Sequence, residues 1–205
     1  EGKIFVDAAA GSLTINATAD SDGKGFVLAA GSLLLVTQES LLAISGDTFT
    51  NHAMLQVEGV ARVEAGAWIV GTGIVQVDNG GSLDLDGGLG AGQRLMLSDG
   101  TGRVAIADLD QFDAAIGLTV YGGNRFLFDG VKIRSAAYDD GELTLYGKKD
   151  HKGAVVGALS VELINGADLL PLPKSEQTLR GNDFAFASDG DGGTVVTYAP
   201  RGPQY

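Results

Sequence analysis

The sequence predicts an all-β fold, a right-handed parallel β-solenoid, and three observations carry that expectation. The first is a period-two alternation of apolar and polar residues. Leu55-Gln56-Val57-Glu58, Ala61-Arg62-Val63-Glu64, Val75-Gln76-Val77-Asp78 and Leu83-Asp84-Leu85-Asp86 each end in a carboxylate, and only a pleated strand sends successive side chains to opposite faces. The second is glycine, 32 of 205 residues, about twice the usual share and placed between the alternating runs as turn residues. The third is a degenerate repeat. Ala10-Gly11-Ser12-Leu13 returns as Ala30-Gly31-Ser32-Leu33, and Gly80-Gly81-Ser82-Leu83 follows later. A period of roughly 20 residues suits one coil of a three-sided solenoid. About ten such coils at about 4.8 Å each predict a rod near 50 Å long.

The elements follow in order. Lys3–Val6, Ser12–Ile15, Phe26–Leu28 and Ser32–Thr37 are the first strands, with Leu13, Ile15, Leu33 and Leu35 expected to face inward. Asp20 to Gly25 is a loop. Leu41–Ile44, Thr48–Thr50 and Ala53–Val57 come next, with Asn51 at a bend because asparagine tolerates the left-handed conformation of a tight corner. Beyond the central stretch, Arg94–Leu97 and Arg103–Ile106 flank a glycine turn. Leu109, Phe112 and Ile116 are spaced three and four apart, which predicts one short helix capped by Asp108. Leu118–Tyr121, Arg125–Phe128, Lys132–Ala136, Leu143–Tyr146, Val155–Leu163, Phe184–Phe186 and Thr194–Tyr198 complete the strands. Lys148–Lys152 and Leu170–Lys174 read as exposed loops, the latter stiffened by its prolines. One domain is expected over 1–205, with narrow regular coils in 1–107, aromatic-rich and more elaborated coils in 108–198, and a frayed tail in 199–205.

Composition excludes several classes of function. Fourteen Lys plus Arg against 26 Asp plus Glu give a formal charge of −12, which repels nucleic-acid phosphates and anionic membranes, and no basic patch interleaved with aromatics offsets it. The longest apolar runs are far too short to span a bilayer. The absence of cysteine suits an exported surface protein that crosses envelopes unfolded. No signal peptide is visible at Glu1. Asn16-Ala17-Thr18 is sequon-like and bears only on a eukaryotic secreted source.

The run Gly71-Thr72-Gly73-Ile74-Val75-Gln76-Val77-Asp78-Asn79-Gly80-Gly81-Ser82-Leu83-Asp84-Leu85 resembles the repeat units of large proteobacterial secreted adhesins and autotransporter passenger proteins. So do Gly92 to Leu97, Phe112 with Ile116, Gly141 to Leu145, and Ser188 to Val195. The likeness covers roughly Ala53 to Tyr198. It implies a parallel β-helix that projects from or coats the cell, and an extracellular location. The chain departs from the long arrays of that family by being short.

Candidate sites are few. Asp20-Ser21-Asp22-Gly23 and Asp189-Gly190-Asp191-Gly192 share the Asp-x-Asp-Gly spacing of calcium loops, but Lys24 and Gly31 in the first, Gly193 and Arg201 in the second, stand where further oxygen ligands belong. An ordinary glycine turn is the expected reading, and no cofactor is predicted. Glu58, Glu64, Asp78, Asp84 and Asp86 are expected to line one outer face as a solvated acidic stripe. Asp139, Asp140 and Glu142 beside Tyr138 are the best candidates for enzyme chemistry, since paired carboxylates with an aromatic platform are what glycosidases use, and they equally read as a turn. His52 and His151 are too few for a zinc site and lack ligand spacing. Trp68 is expected to pack between coils. No residue is assigned a catalytic, cofactor-binding or metal role.

The expected function is a structural or adhesive unit of a bacterial surface protein, its partners being further copies or coils of the same solenoid along the axis and host or matrix glycans. An uncapped coil exposes unpaired strand edges and apolar rows, so the chain either carries caps, continues into a longer protein or stacks end to end into rods or filaments, with axial self-association or continuation expected. The alternatives are a carbohydrate-active solenoid, lyase, glycosidase or glycan-binding, and a β-sandwich module with antiparallel strands.

Overall fold

The computed structural model describes residues 2–6, 11–18, 25–148, 154–165 and 169–200. The chain winds through three sheets. The first coil is β1 (Lys3–Val6), β2 (Ser12–Asn16) and β3 (Phe26–Leu28), the second β4 (Leu33–Val36), β5 (Leu41–Ser45) and β6 (Thr48–Asn51). The third is β7 (Met54–Val57), β8 (Val60–Val63) and β9 (Trp68–Val70), the fourth β10 (Ile74–Val77), β11 (Ser82–Leu85) and β12 (Gly88–Leu89). A fifth holds β13 (Arg94–Leu97) and β14 (Arg103–Ile106), and its third side is a single parallel bridge from Leu89 to Phe112. β15 (Ala115–Leu118) and β16 (Arg125–Phe128) begin a sixth.

Every pairing among these strands is parallel. Leu33 lies beside Met54, Met54 beside Ile74, and Ile74 beside Arg94, so the expected period of roughly 20 residues is the coil length. The parallel ladder excludes a β-sandwich. Alternation sets the packing: Leu34, Leu55, Val75, Leu95 and Ile116 stack inward in register, each fully buried. At about 25 cal/mol per Å² of apolar surface, rows of this kind are the main source of stability.

The chain makes about five turns of solenoid, not about ten. A count of ten assumed that every 20 residues complete a coil, but every strand after Phe128 belongs to an antiparallel meander or hairpin. β17 (Ser135–Asp139), β18 (Glu142–Tyr146) and β19 (Val155–Leu163) form a meander whose last strand joins β15 in parallel. β20 (Phe184–Ser188) and β21 (Thr194–Tyr198) form a hairpin that pairs antiparallel with β16. These strands extend one sheet to nine members and another to eight, while the third has four. Nine strands span about 38 Å at about 4.8 Å each, shorter than the 50 Å rod.

The meander and hairpin close the far end of the core. Phe184 packs on Tyr198 with ring centroids 5.4 Å apart. Arg94 on the outer side of β13 pairs with Glu162 of β19 at 2.9 Å. Met96, on an outward row, is buried because Ile164 folds over it, and Gly117 leaves the space both need: a Cβ there would meet the Met96 sulfur and Ile164.

Four local expectations shift. Leu33 and Leu35 point outward, because the inward row of β4 is Leu34 and Val36. The helix over 108–116 is a 3-10 turn, Leu109–Gln111, with Asp108 accepting from Asp110 N as the cap. Its helical spacing is a corner: Phe112 bridges to Leu89 and Ile116 lies in β15. The strand expected over Leu118–Tyr121 ends at Leu118, and that expected over Lys132–Ala136 starts at Ser135.

Candidate functional site

The most concentrated polar chemistry lies at the corner between the sheet of β7, β10 and β13 and the sheet of β8, β11 and β14. The residue following each strand of the first sheet falls here, so Thr37, Glu58, Asp78, Ser98 and Thr119 stack in consecutive coils. Asp78 to Gly81 makes the turn, with Asn79 at φ 50°, Gly80 at φ 84° and Gly81 N donating to Asp78 O at 2.8 Å. Two successive left-handed residues are why Asn-Gly occupies the position.

Side chains bind this corner along the axis. Gln76 Nε2 donates to Asp78 Oδ2 at 2.6 Å and to Ser98 Oγ at 3.1 Å. Asn79 reaches in both directions: its Nδ2 donates to Glu58 Oε1 at 2.9 Å and its backbone N–H to Asp99 Oδ2 at 2.6 Å. Thr37 Oγ1 donates to Val6 O at 3.0 Å. Glu58, Asp78 and Asp99 thereby sit close together; Glu58 is satisfied by Gln56 and Asn79, and Asp99 by Asn79 N–H and by Thr101.

Asp78 is the exception. It is 7% exposed, and its Oδ1 is buried with no hydrogen-bond partner. Burial pushes its carboxyl above the usual value, the Gln76 bond opposes that, and the charges of Glu58 and Asp99 add to the rise. A carboxyl that holds its proton more tightly when folded stabilises the fold fully below its unfolded value near 3.8. That contribution is lost as pH rises through the folded value. Asp78→Asn is therefore expected to raise stability at pH 7 by roughly 1 kcal/mol. The gain should shrink toward pH 4, as read from thermal melts of both proteins across pH. An advantage that grows as pH falls would contradict the assignment.

The expected acidic stripe is divided between different places. Glu58 and Asp78 belong to this corner, whereas Asp84 lies mid-strand on the next face, 3.6 Å from Arg62. Glu64 and Asp86 follow β8 and β11 at the opposite end of that face. Alternation places alternate residues on one side but does not show which lie past the strand end, where the chain turns the corner.

Asp139 and Glu142 face each other at the end of the β17–β18 hairpin, with Asp140 at φ 39° and Gly141 at φ 94° forming its turn. Asp140 is well exposed and pairs with Lys174 at 3.3 Å, and Glu142 accepts from Thr144 Oγ1. Tyr138 donates its hydroxyl to Val161 O at 3.1 Å. These residues sit on a projecting turn. Asp189 Oδ1 accepts from the N–H groups of Asp191 and Gly193, both at 2.9 Å, which closes the β20–β21 turn. Asp20, Asp22 and His151 lie outside the described residues. Among the described residues no cluster of three metal-ligating side chains occurs. His52 shares a hydrogen bond with Thr72 Oγ1 at the adjacent corner. Trp68 is half-buried on an outer face with its ring over Gly88 of the next coil.

A second polar group is inside the core, where sequence reasoning placed only a bend. Asn51 and Gln93 are fully buried two coils apart. Asn51 Nδ2 donates to Gln93 Oε1 at 2.9 Å, and Gln93 Nε2 donates to the carbonyls of Asn51 and Val70, both at 2.9 Å. Gly73 lies in the coil between, where a Cβ would stand 2.6 Å from the Asn51 amide. The signal in the sequence is a polar residue directly before an apolar strand in Gln93-Arg94-Leu95, but nothing local links it to Asn51.

Compared with known protein families, curated proteins and solved structures, the chain shows no significant match.

Proposed function

We propose that the chain is a structural and adhesive unit of a bacterial extracellular or cell-surface protein, a short stiff solenoid that joins to further solenoid through its first coil. The observation that carries this reading is the difference between the two ends. At the first coil the outer edges of β1, β2 and β3 pair with no strand among the described residues. Ile4, Phe5 and Val27 are exposed there at 39%, 56% and 52%. Lys3 is the one charged residue in these three strands, whereas edges that must stay single are normally guarded by charge, proline or bulges. The other end is covered by antiparallel strands, so it presents no matching parallel coil. Axial joining through the first coil therefore makes a paired or extended rod, not an indefinite head-to-tail filament. Right-handed winding is the sense expected of it. Its polar corners and the absence of cysteine suit an exposed, exported rod.

Association is tested by light scattering and electron microscopy across concentration. Rods whose mass doubles with concentration are expected, and Ile4→Lys with Val27→Lys should weaken doubling at least about tenfold by placing charges at the joint. A single unchanging mass into the millimolar range, or doubling unaltered in the I4K/V27K variant, would reject the joint.

The carbohydrate-active alternative finds less support. Asp139, Asp140 and Glu142 stand on a projecting hairpin turn, two of them engaged with Lys174 and Thr144.

A further inference from the structure

The strands that close the far end leave a groove of about 400 Å³ between the segment leading into β17 and the face of the β20–β21 hairpin. Its lining includes Lys132, Arg134, Phe186, Ser188, Gly193 and Thr194. The segment is pinned in place, since Thr194 Oγ1 donates to Val131 O at 2.7 Å and accepts from Ile133 N at 2.9 Å. Ile133 is buried at 3% exposure while Lys132 and Arg134 on either side are exposed. Two cations thus share the outer side of one strap, about 7 Å apart as residues i and i+2 of extended chain. Neither forms an ion pair with a carboxylate among the described residues. In a chain of charge −12, such exposed pairs are few, another being Arg103 and Arg125 across β14 and β16. Asp189, the carboxylate of the hairpin turn, accepts two backbone N–H groups on its Oδ1.

The opposite wall narrows the chemistry. Ser188 and Thr194 are partners across the hairpin, and Phe186 shares their side of β20 by alternation. The groove takes in the hairpin face at Phe186, Ser188 and Thr194 and also Ala187 of the edge strand β20. A ligand here meets an aromatic ring and hydroxyls, groups that a peptide adding as a strand does not need. An aromatic platform with hydroxyl partners and flanking cations fits a pyranose that carries a carboxylate. We propose that this groove binds a linear uronate-bearing polysaccharide, with Lys132 and Arg134 meeting successive carboxylates and Phe186 packing against a sugar ring. The proposal deepens the adhesive reading, on which it rests, by naming a matrix glycan class and the place that holds it.

The test titrates the full chain with hexagalacturonate, and with maltohexaose and hexaglutamate as neutral and peptide comparisons, by calorimetry at 50 and 500 mM salt. Hexagalacturonate should bind and weaken with salt, and maltohexaose and hexaglutamate should bind at least about tenfold more weakly. Lys132→Glu with Arg134→Glu should abolish binding while leaving the thermal melt and concentration-dependent doubling unchanged, and the milder K132Q/R134Q pair should weaken it at least about tenfold. Absence of hexagalacturonate binding, binding unaltered in both double variants, or equal binding of hexaglutamate would overturn the proposal. Because doubling is read in the same samples, loss of glycan binding with doubling intact refutes the groove alone, and loss of doubling in the unaltered chain refutes the joint alone.

Discussion

Replacing Gln93 with leucine is expected to lower the unfolding free energy by about 3 kcal/mol. The side chain is fully buried and makes three hydrogen bonds at 2.9 Å, accepting one from Asn51 Nδ2 and donating to the carbonyls of Asn51 and Val70. Leucine supplies similar volume, so the loss is not a cavity. It is the removal of both donors from buried carbonyls, at about 1–3 kcal/mol for each group left unpaired, offset where a carbonyl keeps another bond. Asn51 O does keep one, from Gly73 N at 2.9 Å, so Val70 O bears most of the cost. Asn51→Leu should also destabilise, because the Asn51 Oδ1 that accepts from Ala53 N at 3.0 Å disappears. The double variant N51L/Q93L should lose less than the sum of the two, since each single change strands the partner of the other. Urea unfolding followed by far-ultraviolet circular dichroism gives all three values. A change below about 1 kcal/mol for Gln93→Leu would mean that water takes over its bonds.

That bridge shows where the sequence stops being legible. Strands such as Arg94–Leu97, Arg103–Ile106 and Arg125–Phe128 are readable because alternation and flanking glycines lie within ten residues of one another. The coil length is readable because the repeat preserves it. The partners of each strand are not, since the same alternating pattern serves a coil such as β14 and a hairpin strand such as β18. The aromatic residues beyond Tyr121 are compatible with wide coils as well as with the packed ends of hairpins. Pairing order decides between them, and it is long-range information. The corner column is half legible. Four strands ending in a carboxylate are visible at once, but the placement of Glu58 and Asp78 past the strand end, with Asp84 within one, depends on where each turn begins. Asn51 and Gln93 stand 42 residues apart and meet only because two coils intervene. Lys132 and Arg134 gain meaning only when the hairpin packs beside them.

Phe49→Ala is expected to be the most damaging single change, at about 3–5 kcal/mol. Phe49 is fully buried on the inward row of the third sheet, beside Phe26 on one side and Ile69 on the other. Its ring stacks on Phe26 with centroids 5.1 Å apart and planes 13° from parallel. Alanine removes six heavy atoms where the backbone ladder holds the neighbouring coils at fixed spacing, so collapse into the cavity is limited. The consequences should be uneven along the axis. Each coil contacts mainly the next, so stability in a solenoid is close to a sum of coil terms and nearest-neighbour terms. The first coil has one neighbour and the second loses its largest inward side chain, which makes these two the weak end. Amide exchange should therefore accelerate in β3, β6 and β9 while β16 and β21, tied by the Phe184 and Tyr198 packing, keep most of their protection. Equal loss of protection in every strand would show instead that coils and closing strands unfold as one cooperative unit. In that case the first coil could not fray independently, and its open edges would present a rigid, preformed joint rather than one ordered on pairing.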